Sequence, residues 1–167
     1  MLGKQIVTAL GMAGAIVVLL IAWRLLPTLP LPAPDGDDTA ARLAFVARWL
    51  LLPGLALLAG IGIIANQRFF VADAIDGEPE TGHRLIDITL RYNRNTLEQI
   101  VLAAIAWTGL ALALPHDRLK LIPAIAIAFL AGRVLFWVGY MIAPVGRAFG
   151  LGLTFYPTMI WLVGRML

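Results

Sequence analysis

Five apolar runs, each close to the length that a lipid bilayer demands, dominate this 167-residue chain. They are Gln5–Leu26, Ala44–Ala65, Asn95–Leu114, Leu121–Ile142 and Phe149–Val163. A helix needs about 20 mostly apolar residues to cross the hydrocarbon core, and helices satisfy their own backbone polar groups there. Five such spans use most of the chain and leave only short links, with no room for a soluble domain. The expected fold is an all-α, multi-pass integral membrane protein. Composition agrees, with 60% apolar and 14% charged residues against roughly 45–50% and about 25% in soluble domains. The first run is long for the apolar stretch of a signal peptide and is not followed by a small-residue cleavage site. It therefore reads as a retained span.

The same figures exclude several classes of function. The apolar content rules out a disordered chain. A net charge of +3, from 13 scattered basic residues, makes no phosphate-tracking stripe, so no nucleic acid is expected as a partner. With no cysteine and only His83 and His116, the chain offers no disulfide framework, thiolate metal site or thiol nucleophile. No metal is expected, and any thiol chemistry must come from a bound molecule.

Links divide the chain unequally. Pro27–Pro34 holds four prolines and is followed by Asp35, Asp37 and Asp38. Proline removes backbone donors and stops helices, so this is a stiff connector outside the lipid. It separates residues 1–40, an extra N-terminal helix with its linker, from residues 41–167, which carry the other four spans. The link Gln67–Arg94 has an acidic middle with turn signals at Asp76-Gly77 and Pro79. The short link Pro115–Lys120 forces the third and fourth spans into an antiparallel hairpin. Six basic residues fall on each side of the membrane, so the positive-inside rule decides nothing about orientation. The thirteenth, Arg133, lies inside a span.

Charged groups inside spans are costly and are functional candidates for that reason. Arg133, Phe136, Tyr140 and Arg147 form a stripe on the fourth span, because steps of seven drift only about 20° per heptad. Pro144 ends or kinks that helix near Ile142–Ala143, which leaves Arg147 either on the stripe or capping the next turn. At the start of the third span, Arg91, Asn95 and Glu98 share one helical face. The hairpin puts both groups at one end of the bundle, with Arg91, Asn95 and Glu98 level with Tyr140 and Arg147, and Arg133 deeper. Arginines clamp carboxylates, and a carboxylate answers an amine. The expected ligand is small and multiply charged, beside lipid-facing walls that admit a lipophilic second molecule.

The pattern Arg91-x-x-x-Asn95-x-x-Glu98, followed by Arg133-x6-Tyr140-x6-Arg147, resembles the MAPEG family, the membrane-associated proteins of eicosanoid and glutathione metabolism. The resemblance covers Ala44–Leu167. It implies a MAPEG-like four-helix bundle with one additional N-terminal transmembrane helix, assembled as a homotrimer with glutathione bound between subunits. It also implies that Arg91, Asn95, Glu98, Arg133 and Tyr140 contact glutathione as cosubstrate, while Arg147 favours its thiolate. The activity implied is that of a glutathione transferase or peroxidase working on a lipophilic electrophile or lipid hydroperoxide. The membrane would be a cell or bacterial inner membrane, with the pocket facing the cytoplasm.

Three departures bear on that implication. Phe136 stands where some members carry a hydroxyl or imidazole. Gln99 stands where leukotriene-forming members carry a phenol. Asn66-Gln67, with only Arg68 adjacent, aligns with their basic pair. These leave the general-acid role unassigned and point away from leukotriene formation.

Plainer readings remain open at this stage. Glu98 and Arg133 could form a buried ion pair, Asn95 could be interhelical glue, and Arg91 and Arg147 could anchor the interface. Tyr140 could belong to an aromatic belt. His116 and the three aspartates read as solvated. The alternative function is a non-catalytic MAPEG-fold membrane protein with a structural or lipid-binding role.

Overall fold

A computed structural model describes residues 1–71 and 82–164. The acidic middle of the Gln67–Arg94 link, with its turn signals at Asp76-Gly77 and Pro79, lies outside them, as does Arg165. The described residues form six α-helices and no strand: α1 Leu2–Leu25, α2 Thr39–Trp49, α3 Leu51–Phe70, α4 Arg84–Ala113, α5 Leu121–Ile142 and α6 Ala148–Gly164. Four helical segments are long and apolar enough to cross a membrane, and α6 is a shorter apolar helix. The molecule is an all-helical integral membrane protein.

The expected second span is divided into α2 and α3 at Leu50. Pro53 explains the break: it has no N–H for the Trp49 carbonyl, and its ring crowds that carbonyl. Leu50 still bonds back to Val46 O at 2.9 Å, and Gly54 bonds to Leu50 O at 3.2 Å. The chain bends there without leaving the helical path. Asp38 starts α2 as its N-cap, accepting from the Ala41 N–H at 3.0 Å, so it is an active cap where only a solvated connector was expected. The third span is longer than its apolar run, since α4 begins at Arg84 rather than Asn95. Its 30 residues extend about 45 Å at 1.5 Å each, more than the ~30 Å hydrocarbon core. Leu114 and Ala143 are both extended, as residues before proline are biased to be, and they end α4 and α5.

Packing forms two layers of core along the bundle axis. At the hairpin end, Trp107 and Phe129 meet edge to face at 5.9 Å among Ala103, Leu110, Leu119 and Ile122. At the other end, Ile88, Tyr92, Phe136 and Tyr140 form a smaller aromatic cluster. Two small-residue faces of α6 let backbones approach closely. A Cβ on Gly150 would lie 2.3 Å from Phe136 N on α5. On the other face, Gly152 meets Ala15, and Ala148 meets Gly11. Those pairs advance in the same direction, so α1 runs parallel to α6. Apart from Ala15, no residue of α1 is buried, and the helix lies at the edge of the bundle.

Candidate functional site

The second core layer underlies the candidate site. On α5, Arg133, Phe136 and Tyr140 follow one face at steps of three and four, and all three are buried. The Arg133 guanidinium stacks on Phe136 at 4.4 Å, and the Phe136 and Tyr140 rings meet edge to face at 6.0 Å. After Ala143 the chain turns, and Leu151 N bonds to Arg147 O at 3.0 Å, which opens α6. Pro144 ends α5, and the turn after it brings the exposed Arg147 guanidinium back over Tyr140 at 4.7 Å. Cation, ring, ring and cation thus form a continuous ladder from the bundle interior to its end.

Among the described residues, Arg133 has neutral hydrogen-bond partners. It is 0% exposed and donates through Nη1 to Asn95 Oδ1 at 2.8 Å and Thr96 Oγ1 at 3.5 Å. Through Nη2 it donates to Thr154 Oγ1 at 3.1 Å. The buried Glu98–Arg133 ion pair left open above is not formed. Glu98 is exposed, and its Oε1 lies 3.6 Å from Arg94 Nε one turn away on α4. The reason is angular: Glu98 lies on the outer face of α4, opposite the face that carries Thr96 and Gln99 inward.

Cross-helix hydrogen bonds set the register between α4 and α5. Arg84 donates to Met141 O, Trp137 Nε1 to Thr89 Oγ1 at 3.1 Å, and Arg133 to Asn95. This corrects the expected depths. Asn95 lies level with Arg133, and Glu98 lies about 4.5 Å further in at 1.5 Å per residue. Arg91 is the nearest of the three to the Tyr140 end. The early start of α4 causes the offset, since its first turns already run alongside the last turns of α5. One chain therefore presents two groups: Arg91, Asn95 and Glu98 along the outer face of α4, and Tyr140 with Arg147 at the α5–α6 turn.

Several residues here were not singled out from sequence. Thr96 and Thr154 complete the Arg133 environment. Tyr92 donates to Ala56 O at 2.9 Å and so ties α4 to α3. Thr154 and Thr158, four apart in an otherwise apolar span and both buried, were the available signal for a polar interior. A second cluster lies at the opposite end. Arg42 Nη1 donates to Ala111 O at 2.8 Å and Leu114 O at 2.7 Å, which satisfies carbonyls at the C-terminus of α4. Asp37 receives Arg42 and lies 3.2 Å from His116 Nδ1. The Arg42 hydrogen bond holds the Asp37 carboxyl below its ordinary value. Asp37 is solvent-exposed and His116 partly so, as expected, and together they also fasten the linker to the α4–α5 turn.

Comparisons with known proteins follow the same outline. The model of the MAPEG family matches residues 43–166. Mouse Transmembrane protein 79 is 27% identical over 139 residues, covering 83% of this chain and 35% of that protein. The bovine Transmembrane protein 79 is 28% identical over 136 residues, 81% of this chain and 34% of that protein. The chain thus spans about a third of the length of the curated relatives it matches. No solved structure matches it significantly.

Proposed function

The chain belongs to the MAPEG family, and from that membership and the charged outer face of α4 we propose a glutathione-dependent membrane transferase or peroxidase. Its second substrate is a lipophilic electrophile or lipid hydroperoxide. The observation that carries this reading is the exposed series Arg91, Arg94 and Glu98 with Asn95 half-buried among them. Charges on the outer face of a membrane helix are costly against lipid. A second copy and a polar ligand covering that face remove the cost. The family's homotrimer supplies such a copy, setting the α4 face of one subunit near Tyr140 and Arg147 of a neighbour.

The donor set suits a zwitterionic tripeptide. Arg91 takes a carboxylate, Glu98 an ammonium, and Asn95 a group between them. The exposed Arg147 cation stabilises the thiolate, because a thiol of pKa about 8.5 is mostly protonated at neutral pH and a neighbouring cation lowers the value. In transfer, the thiolate sulfur bonds to the electrophilic carbon, the leaving group departs with its electron pair, and the thiol proton passes to solvent. In peroxide reduction, two glutathione molecules are oxidised to the disulfide while the hydroperoxide becomes an alcohol and water. Holding the tripeptide beside a lipid-dissolved partner adds proximity. An N-terminus of α1 on the cytoplasmic side puts the site where glutathione is abundant. The test is glutathione binding to the detergent-purified protein, followed by conjugation of a generic chloronitrobenzene. A folded assembly that ignores millimolar glutathione contradicts the reading.

A second reading, a MAPEG-fold protein with a structural or lipid-binding role, draws on one observation. Phe136 fills the centre of the site with an apolar ring packed against Arg133, where some family members carry a hydroxyl or imidazole. On that reading Arg147→Ala leaves biological activity unchanged.

A further inference from the structure

Asn95 presents a choice that stability alone does not explain. Arg133 is buried beside it with no carboxylate partner among the described residues, and an uncompensated buried charge is expensive. An aspartate at position 95 would supply the missing negative charge at the same 2.8 Å contact. The sequence has an amide there instead.

An amide differs from a carboxylate in having an N–H₂ group opposite its oxygen. Which end faces Arg133 is not arbitrary. A guanidinium has donors only, so turning the Asn95 nitrogen inward would set donor against donor. Arg133 therefore fixes the Asn95 oxygen inward. Thr154 and the Phe136 ring hold Arg133 in turn. Asn95 is half-buried, between the buried Thr96 and the exposed Arg94, so its second end is the one left to face outward.

We propose that Arg133 is a positioning residue that commits Asn95 as a hydrogen-bond donor toward the ligand. The outer face of α4 then reads, in chain order, cation at Arg91, N–H donor at Asn95 and carboxylate at Glu98. The ligand group opposite Asn95 must be an acceptor, a carboxylate or an amide carbonyl, and an ammonium is rejected there. Arg133, which the family resemblance implied to be a ligand contact, acts through Asn95. This deepens the glutathione reading and rests on it for the identity of the ligand.

The experiment is a cycle on glutathione affinity in the full-length detergent-purified assembly, using Asn95→Ala, Arg133→Met and the double variant. Asn95→Ala weakens binding about tenfold, the usual scale for losing one hydrogen bond to a charged group. Arg133→Met weakens it by less, because the amide keeps its N–H₂ and loses only its fixed orientation, and the double variant is no weaker than Asn95→Ala. A double variant weaker by the product of the two losses means that Arg133 touches the ligand itself, and overturns the proposal. Asn95→Asp covers the case in which Arg133→Met fails to assemble. It raises the melting temperature above wild type by pairing with Arg133, yet weakens glutathione at least tenfold. Unchanged affinity in Asn95→Asp, or a melting temperature at or below wild type, overturns the proposal. If wild type itself ignores millimolar glutathione, the proposed function fails separately, and the melting temperature of Asn95→Asp still decides whether Arg133 holds the Asn95 oxygen.

Discussion

The guanidinium of Arg147 lies over the ring of Tyr140 at 4.7 Å, although the two residues are separated by the end of α5 and a proline turn. Such a stack contributes about 0.5–1 kcal/mol at an exposed site. That energy is small against the fold and sufficient to orient one side chain. Tyr140→Phe is expected to keep the stack and retain more glutathione turnover than Tyr140→Leu, with melting temperatures within a few degrees of each other. Steady-state kinetics on the two variants checks this.

On the proposed glutathione reading, Glu98 separates binding from stability. Its partner Arg94 is an exposed neighbour on the same helix, and such pairs contribute about 0.3–0.5 kcal/mol. Glu98→Gln is therefore expected to leave the unfolding temperature nearly unchanged while weakening glutathione binding about tenfold or more. A large loss of stability would mean that Glu98 has a buried role that its exposure contradicts.

How much of this was legible in the sequence differs by level. The spans came from hydropathy, and α5 has the expected ends, because lysine and proline mark them. The start of α4 was missed by eleven residues, the distance from Arg84 to Asn95, because its first turns are polar and hydropathy reports lipid exposure rather than helix. The grouping of Arg133 with Tyr140 followed from helical spacing. The partner of Glu98 did not, since spacing along a helix does not say which face turns inward. The roles of Thr96 and Thr154 depend on which helices adjoin, which no local pattern carries.

The absence of cysteine allows a clean test of the α1–α6 contact. A Cβ at Gly11 would lie 3.1 Å from the Ala148 Cβ, close to the ~3.8 Å typical across a disulfide. Gly11→Cys combined with Ala148→Cys should cross-link within one chain on mild oxidation, seen as a mobility shift reversed by reductant. Cross-linking only between chains would place α1 elsewhere.

The α5–α6 crossing depends on Gly150. A methyl group there meets the α5 backbone, and overpacking of this kind costs about 1–3 kcal/mol. Gly150→Ala is expected to lower the unfolding temperature in detergent, with Gly54→Ala, where an added Cβ meets nothing within 4 Å among the described residues, as the silent control.

The linker clasp has a defined pH response. Arg42, chiefly through its hydrogen bond, lowers the folded-state pKa of Asp37. A depressed carboxylate stabilises the fold above its unfolded pKa, and that contribution is lost as pH falls through the folded value. Wild type should therefore exceed Asp37→Asn above the ordinary carboxylate value near 3.9, with the margin closing as pH falls through that range and below it. Thermal unfolding of both proteins across that range checks the sign.

The most direct test of the account is a thiolate absorbance titration of glutathione bound to the full-length protein and to Arg147→Ala. The expected result is binding at millimolar glutathione or below, with the bound thiol ionised at neutral pH in wild type and returned toward pKa 8.5 in the variant. Bound glutathione whose thiol titrates identically in the two proteins, or no binding by a folded assembly, would contradict it.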